Sequence, residues 1–256
     1  MIGEALFGAA LMASWTNSAV HVAAGDRPIY AESTRGVRPS VGWGRLGILA
    51  ALTLGFFCLV YAFVTAGALR WAPGVGALVA LGVVRRFEIA AWPGDIVVRL
   101  GKYAPSAACL LGWLVAYGVA RGRGASLSHA EKWGFEAAAG VLASVYVLAG
   151  IAKLRESGWG WVRARQHALL IAERAYTGPG WVRGVRLWVA RSRGLCALVG
   201  LAGLFIELGA VAYLWPDARP MVAVLVIGLH GGFKLLLGYS EPELIFLWVA
   251  LTAVTT

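Results

Sequence analysis

Apolar residues run through this chain in long blocks that charged residues punctuate. The clearest block is Leu46–Leu69, 24 residues without a charge between Arg45 and Arg70. A helix rises about 1.5 Å per residue, so about 20 apolar residues cross the hydrocarbon of a bilayer, and this block predicts a transmembrane helix. Trp71–Val84, closed by Arg85 and Arg86, is short for a span; Ala104–Ala120 follows, closed by Arg121 and Arg123. Next come Trp133–Ala152, Leu195–Trp215 and Met221–Leu237, then a last run from Leu244 to the C-terminus. The opening stretch Glu4–Ala24 is apolar but broken by Trp15-Thr16-Asn17-Ser18, which predicts a first span, an interfacial helix or an uncleaved signal-anchor. Its start has no basic residue, which fits a cleaved signal peptide poorly. The expected fold is all-α, a polytopic membrane bundle of about seven spans, roughly six to eight. It forms a single transmembrane domain over 1–256, with an N-terminal apolar or interfacial segment (1–45), first spans (46–152), a basic interfacial connection (153–194) and C-terminal spans (195–256).

The connection from Lys153 to Arg193 is the longest polar stretch, and it holds eight arginines against Glu156 and Glu173. Trp181, Val185 and Trp188 recur there at helical spacing, while Arg183, Arg186 and Arg193 take another face. That pattern predicts an amphipathic helix in the headgroup plane, with Arg183, Arg186, Arg193, Trp181 and Trp188 as lipid-headgroup contacts. Gly-Pro-Gly at 178–180 reads as a turn between two surface helices.

Composition agrees with the pattern. Of 256 residues, 59% are apolar and 14% charged, with mean hydropathy +0.72, whereas a soluble domain carries about 25% charged residues. The net charge of +10 would suggest nucleic acid in a soluble protein. Here most arginines lie between apolar runs, which instead sets membrane orientation and points to membrane lipids rather than nucleic acid as partners. Placing Arg45 in the cytoplasm puts Arg27, Arg35, Arg38, Arg85, Arg86, Arg99, Lys102 and the group from Lys153 to Arg193 on that side. Arg70, Arg121, Arg123, Lys132 and Arg219 then fall outside. Cys58, Cys109 and Cys196 each sit within an apolar run and read as small buried hydrophobes.

Ionisable groups inside spans are costly unless paired or facing a wet cavity, so each is a functional candidate. Glu207 lies mid-span, His230 and Lys234 are four apart on one helical face, and Lys153 closes the run that begins at Trp133. Glu207 lies nine residues before Pro216 and His230 ten after Pro220; at about 1.5 Å per residue both stand roughly 14–15 Å from the connecting turn. The arithmetic predicts one level for both and a polar cavity shared with Lys153 and Lys234. Simpler readings are a Glu207–Lys234 pair acting as structural glue and a Lys153 that snorkels to the headgroups. Glu88 and Asp95 suit an interfacial connection, and His21, His129 and His167 are isolated and expected to be solvated. Asp26, Asp95 and Asp217 form no pair for magnesium and diphosphate, no metal or haem site is expected at these His and Cys spacings, and neither a phosphate loop nor a nucleophile elbow occurs.

Tyr146-Val147-Leu148-Ala149-Gly150-Ile151-Ala152-Lys153-Leu154, followed by Trp159 and Trp161, resembles the segment "aromatic, Ala-Gly, two residues, Lys-Leu, then Trp" of the HTTM family, the membrane domain shared with vitamin K-dependent gamma-carboxylases. Glu207 in one span and His230 in the next are similar to that family's layout, and the resemblance covers roughly 130–250. It implies that Lys153 is the base that starts oxygenation of a reduced vitamin K-like quinol. Glu207, His230 and Lys234 would be ligand-binding groups of the cavity, a role inferred from their depth. The chain ends soon after its last span, without the extramembrane portion that holds the carboxylases' protein substrate, so a partner protein would supply substrate binding, as in maturation of a secreted peptide. The expected setting is the inner membrane of a bacterium. A non-catalytic subunit of a larger membrane complex is the alternative from another class; a small transporter would show internal symmetry, and none is found.

Overall fold

The computed structural model describes residues 5, 7–13, 50–51, 53–55, 57–58, 72–80, 96–176, 179–238 and 242–256. Among these every regular element is helical. In chain order the long ones are α1 (Ile96–Gly122), α2 (Leu127–Ser157), α3 (Ala164–Arg174), α4 (Gly180–Arg191), α5 (Arg193–Gly209), α6 (Arg219–Leu237) and α7 (Pro242–Thr255). Short 3-10 turns at Gly158–Val162, Ala210–Leu214 and Pro216–Ala218 join them. Residues 7–13 and 72–80 are helical as the runs Glu4–Ala24 and Trp71–Val84 predict. The rest of those runs and most of Leu46–Leu69 lie outside the described residues. So do His21, Glu88, Asp95 and the arginines from Arg27 to Arg86.

Local chemistry sets the helix ends. α1 starts eight residues before Ala104 and runs through Pro105, a position that the sequence reading takes as a beginning. Membrane helices tolerate an internal proline, because neighbouring groups satisfy the freed carbonyl. Gly124 at φ 81 turns the chain after α1, and Arg121 Nη1 donates to the Ala125 carbonyl at 2.5 Å. Ser192 caps α5 by accepting from the Leu195 amide at 3.3 Å. α6 carries Pro220 in its first turn and ends on Gly238 at φ 77, the left-handed geometry that glycine adopts without steric cost.

The chain divides into two compact units, Met1–Val141 with Val249–Thr255 and Leu142–Trp248 with Thr256. In the first, α1 meets the opening turns of α2. A Cβ at Gly134 would stand 2.7 Å from the Trp113 ring, so glycine there lets the indole lie flat on α2. Trp113 stacks on Tyr117 with centroids 4.9 Å apart, and the Cys109 thiol donates to the Ala138 carbonyl at 3.5 Å.

In the second unit the distribution of polarity is inverted relative to a soluble bundle. Leu148, Leu198, Phe205 and Val224 are 58–68% exposed, whereas Glu207, His230 and Arg219 are buried. Apolar outward faces of this kind want lipid rather than water. Three helical stretches, Leu127–Val162, Arg193–Leu214 and Pro216–Leu237, are long and apolar enough to cross a membrane. They match three of the predicted runs, and α2 overshoots its run at both ends; its 31 residues extend about 46 Å, beyond a hydrocarbon core of about 30 Å. α7 has 14 residues, short of the usual crossing length.

The basic connection folds into α3 and α4, with Pro179 as the N-cap of α4; Gly178 of the predicted turn lies outside the described residues. The face assignment of α4 needs correcting. Val182, Arg186 and Val189 turn inward, while Trp181 and Trp188 are 67% and 65% exposed. Arg186 therefore does not share the outward face of Arg183. The reason is tertiary: its guanidinium donates to the carbonyls of Leu235 at 2.7 Å, Arg174 at 2.5 Å and Lys234 at 3.4 Å. These carbonyls lie in the closing turns of α3 and α6, where intrahelical donors run out; the Lys234 carbonyl also accepts from the Gly238 amide at 3.2 Å. A planar fork with several donors can serve both ends at once.

Candidate functional site

The candidate residues gather along one stripe of α2. Tyr146, Gly150 and Lys153 are spaced four and three apart, which places them on one helical face. Each meets a different part of the second unit.

Lys153 forms an ion pair with Glu207 of α5. Glu207 is 5% exposed, and its second carboxylate oxygen, Oε2, has no hydrogen-bond partner among the described residues. The Lys153 ammonium also stands 4.9 Å from the centroid of the Trp161 ring, which supplies the negative face of an aromatic quadrupole to the cation. One turn back, Gly150 packs closely against α5. A Cβ there would stand 2.9 Å from Leu208 Cδ2 and 3.3 Å from the Glu207 Cβ. The missing side chain is what brings the Glu207 backbone within reach of Lys153.

At the other end of the stripe the Tyr146 hydroxyl and His230 Nε2 hydrogen-bond at 2.5 Å. His230 is 4% exposed, and its Nδ1 finds no partner among the described residues. Trp248 crosses Tyr146 edge-on at 5.2 Å and Tyr213 at 4.5 Å, and Phe233 lies 6.1 Å from His230. The imidazole thus sits in an aromatic, water-poor surround.

The structure brings together two pairs rather than one four-membered cluster. Lys153 and Tyr146 are seven residues apart on α2, about 10 Å along the axis, so Glu207 and His230 take partners two turns from each other. The level arithmetic assumes α-helical rise throughout, but Ala210–Leu214 is 3-10 helix, which rises about 2.0 Å per residue and moves Glu207 further from the Pro216 turn. Glu207 pairs with Lys153 and not with Lys234. Lys234 occupies the last turn of α6 with its side chain exposed, where an ammonium complements the helix C-terminus.

His167 corrects a further expectation. It is not solvated but 9% exposed, edge-on to Trp161 at 5.5 Å and pressed on α5 where Gly200 has no side chain; a Cβ at Gly200 would stand 2.7 Å from the imidazole. A small residue two turns from Glu207 on the same face of α5 is the only sequence signal, and it does not single out a histidine partner. His129, by contrast, is exposed, with its ring 5.7 Å from Trp133.

Burial holds the His167 imidazole below its usual range; the Arg163 backbone opposes this and the nearby positive charge of Lys153 adds to it. His167 is therefore neutral in the folded protein at pH 7, while the unfolded chain protonates near pH 6.5. Because the folded pKa is the lower one, the stability His167 contributes is complete above pH 6.5 and is lost as pH falls toward the folded value. Thermal unfolding in detergent is expected to show a midpoint that drops between pH 7.5 and 5.5, and His167→Phe should flatten that drop. An equal drop in both proteins would refute the assignment.

Among the described residues, one shallow groove is lined by Ala116, His129, Lys132, Trp133, Glu136 and Ala137, and another by Ala143, Ser144, Val147, Leu148, Val211 and Leu214. Neither is lined by Lys153, Glu207, His230 or Lys234. Glu207 Oε2 and His230 Nδ1 are thus the buried polar atoms of the two pairs left without a hydrogen-bond partner among the described residues. No protein family, curated protein or solved structure matches this chain.

Proposed function

We propose that this chain is a multi-pass protein of a bacterial inner membrane, of the HTTM kind with about seven spans, whose intramembrane polar centre serves a lipophilic, quinol-like ligand. What supports the reading is the α2 stripe: Tyr146, Gly150 and Lys153, the three spaced positions of the resembled segment, meet His230, the α5 backbone and Glu207 respectively. Such a spacing has no use in a helix that only faces lipid. A quinol supplies an ionisable hydroxyl and an oxidisable ring. Lys153 is the group that takes the hydroxyl proton, after handing its own to Glu207, and His230 orients the ring through Nδ1 while Tyr146 holds Nε2. A partner protein brings the peptide or protein substrate.

A non-catalytic subunit of a membrane complex is the second reading, and one observation favours it. Both pairs are complete without a ligand, and the grooves lie elsewhere. Mass spectrometry of lipids and quinones retained by the purified protein separates the two. The first reading expects a quinone in wild-type protein, lost at least tenfold in His230→Ala and Glu207→Gln. Wild-type protein that retains no quinone, together with stoichiometric co-purifying subunits, would replace it with the second.

A further inference from the structure

The outward face of α4 is the other feature with chemistry to spare. Along it Arg183, Arg191, Trp188 and Trp181 are all exposed, and at about 100° per residue the arginines take one flank and the tryptophans the other. The Arg183 guanidinium lies over the Tyr176 ring at 4.6 Å. A guanidinium stacked on an aromatic face keeps its N–H edge available, the arrangement that recognises phosphate.

The height of α4 is set by its neighbours in the same unit. It runs into α5 through Ser192 alone, and Arg186 ties its inner face to the last turn of α6. The start of one membrane-length helix and the end of another therefore both lie beside it, so α4 sits at the boundary of the hydrocarbon. Tryptophan prefers that layer, and arginine there meets headgroup phosphates.

We propose that α4 is a docking site for an anionic phospholipid of the surrounding leaflet, its phosphate held by Arg183 and Arg191 and its acyl region covered by Trp181 and Trp188. Charge complementarity selects this occupant. The stretch from Ala164 to Arg193 carries Arg165, Arg174, Arg183, Arg186, Arg191 and Arg193 against Glu173 alone, so an acidic surface is what it fits. The site involves neither Lys153 nor His230 and stands whether or not the quinol reading does.

The test is native mass spectrometry of the full chain titrated with phosphatidylglycerol or phosphatidylcholine. Wild-type protein should prefer phosphatidylglycerol. One arginine near an anionic surface contributes about fivefold in affinity, so Arg183→Gln with Arg191→Gln should lower that preference by roughly tenfold or more while leaving phosphatidylcholine binding in place. Trp181→Ala with Trp188→Ala should weaken both lipids. All four side chains face outward, and unchanged thermal midpoints will confirm that the variants fold. An unchanged lipid ratio in the arginine variant overturns the proposal, as does an arginine variant that keeps its lipids but sheds a stoichiometric partner protein.

Discussion

Alanine at Lys153 is expected to cost this protein about 3–5 kcal/mol of stability, the usual penalty for leaving one charge of a buried pair unmatched. Glu207 is 5% exposed and Lys153 is its ion-pair partner. Glu207→Ala strands an ammonium instead, but the Trp161 face at 4.9 Å and the partial exposure of Lys153 soften the loss to roughly 2–3 kcal/mol. The double variant Lys153→Met/Glu207→Leu removes both charges and should recover most of the difference, because well-packed apolar side chains replace buried ion pairs at little cost. Unfolding by a graded detergent mixture measures all four corners of this cycle. Additive single losses, with no recovery in the double variant, would mean that the two groups do not act as a pair.

The second large effect is expected at Arg186. Hydrogen bonds to charged groups contribute about 1.5–3 kcal/mol each, and Arg186 donates to the final carbonyls of two helices. Arg186→Ala should therefore lower stability by about 3 kcal/mol or more. Arg186→Lys is the sharper experiment: it keeps the charge, but an ammonium cannot span the Leu235 and Arg174 carbonyls as a planar fork does. It should lose nearly as much as alanine and should expose the chain around 174–180 to limited proteolysis. A lysine variant as stable as wild type would show that the charge, and not the fork, holds the two helix ends.

Much of this protein is legible without coordinates because the physics involved is local. Long apolar runs mark candidate spans, and the three runs ending at Ala152, Trp215 and Leu237 coincide, to within a residue at Trp215, with helices that are long and apolar enough to cross a membrane. α3 ends at Arg174 and α4 opens at Gly180 behind Pro179, so the helix boundary falls where the Gly-Pro-Gly sequence predicts it. The unusual residues Lys153, Glu207 and His230 could be singled out because a charge or imidazole in a span has no local excuse.

Partnership was not legible, since it depends on which helices meet and how they rotate. Spacing set Lys234 beside His230, yet it was Gly150 that let α5 approach α2 and gave Glu207 to Lys153. Periodicity alone grouped Arg186 with Arg183, and the open carbonyls of α3 and α6 turned it inward. His167 looked solvated until Gly200 and Trp161 closed over it. Transfer cost along the chain is enough to mark the three helices that are long and apolar enough to cross a membrane, and the polar groups they carry. Which of those groups pair follows from the distances between packed helices, and no single helix encodes them.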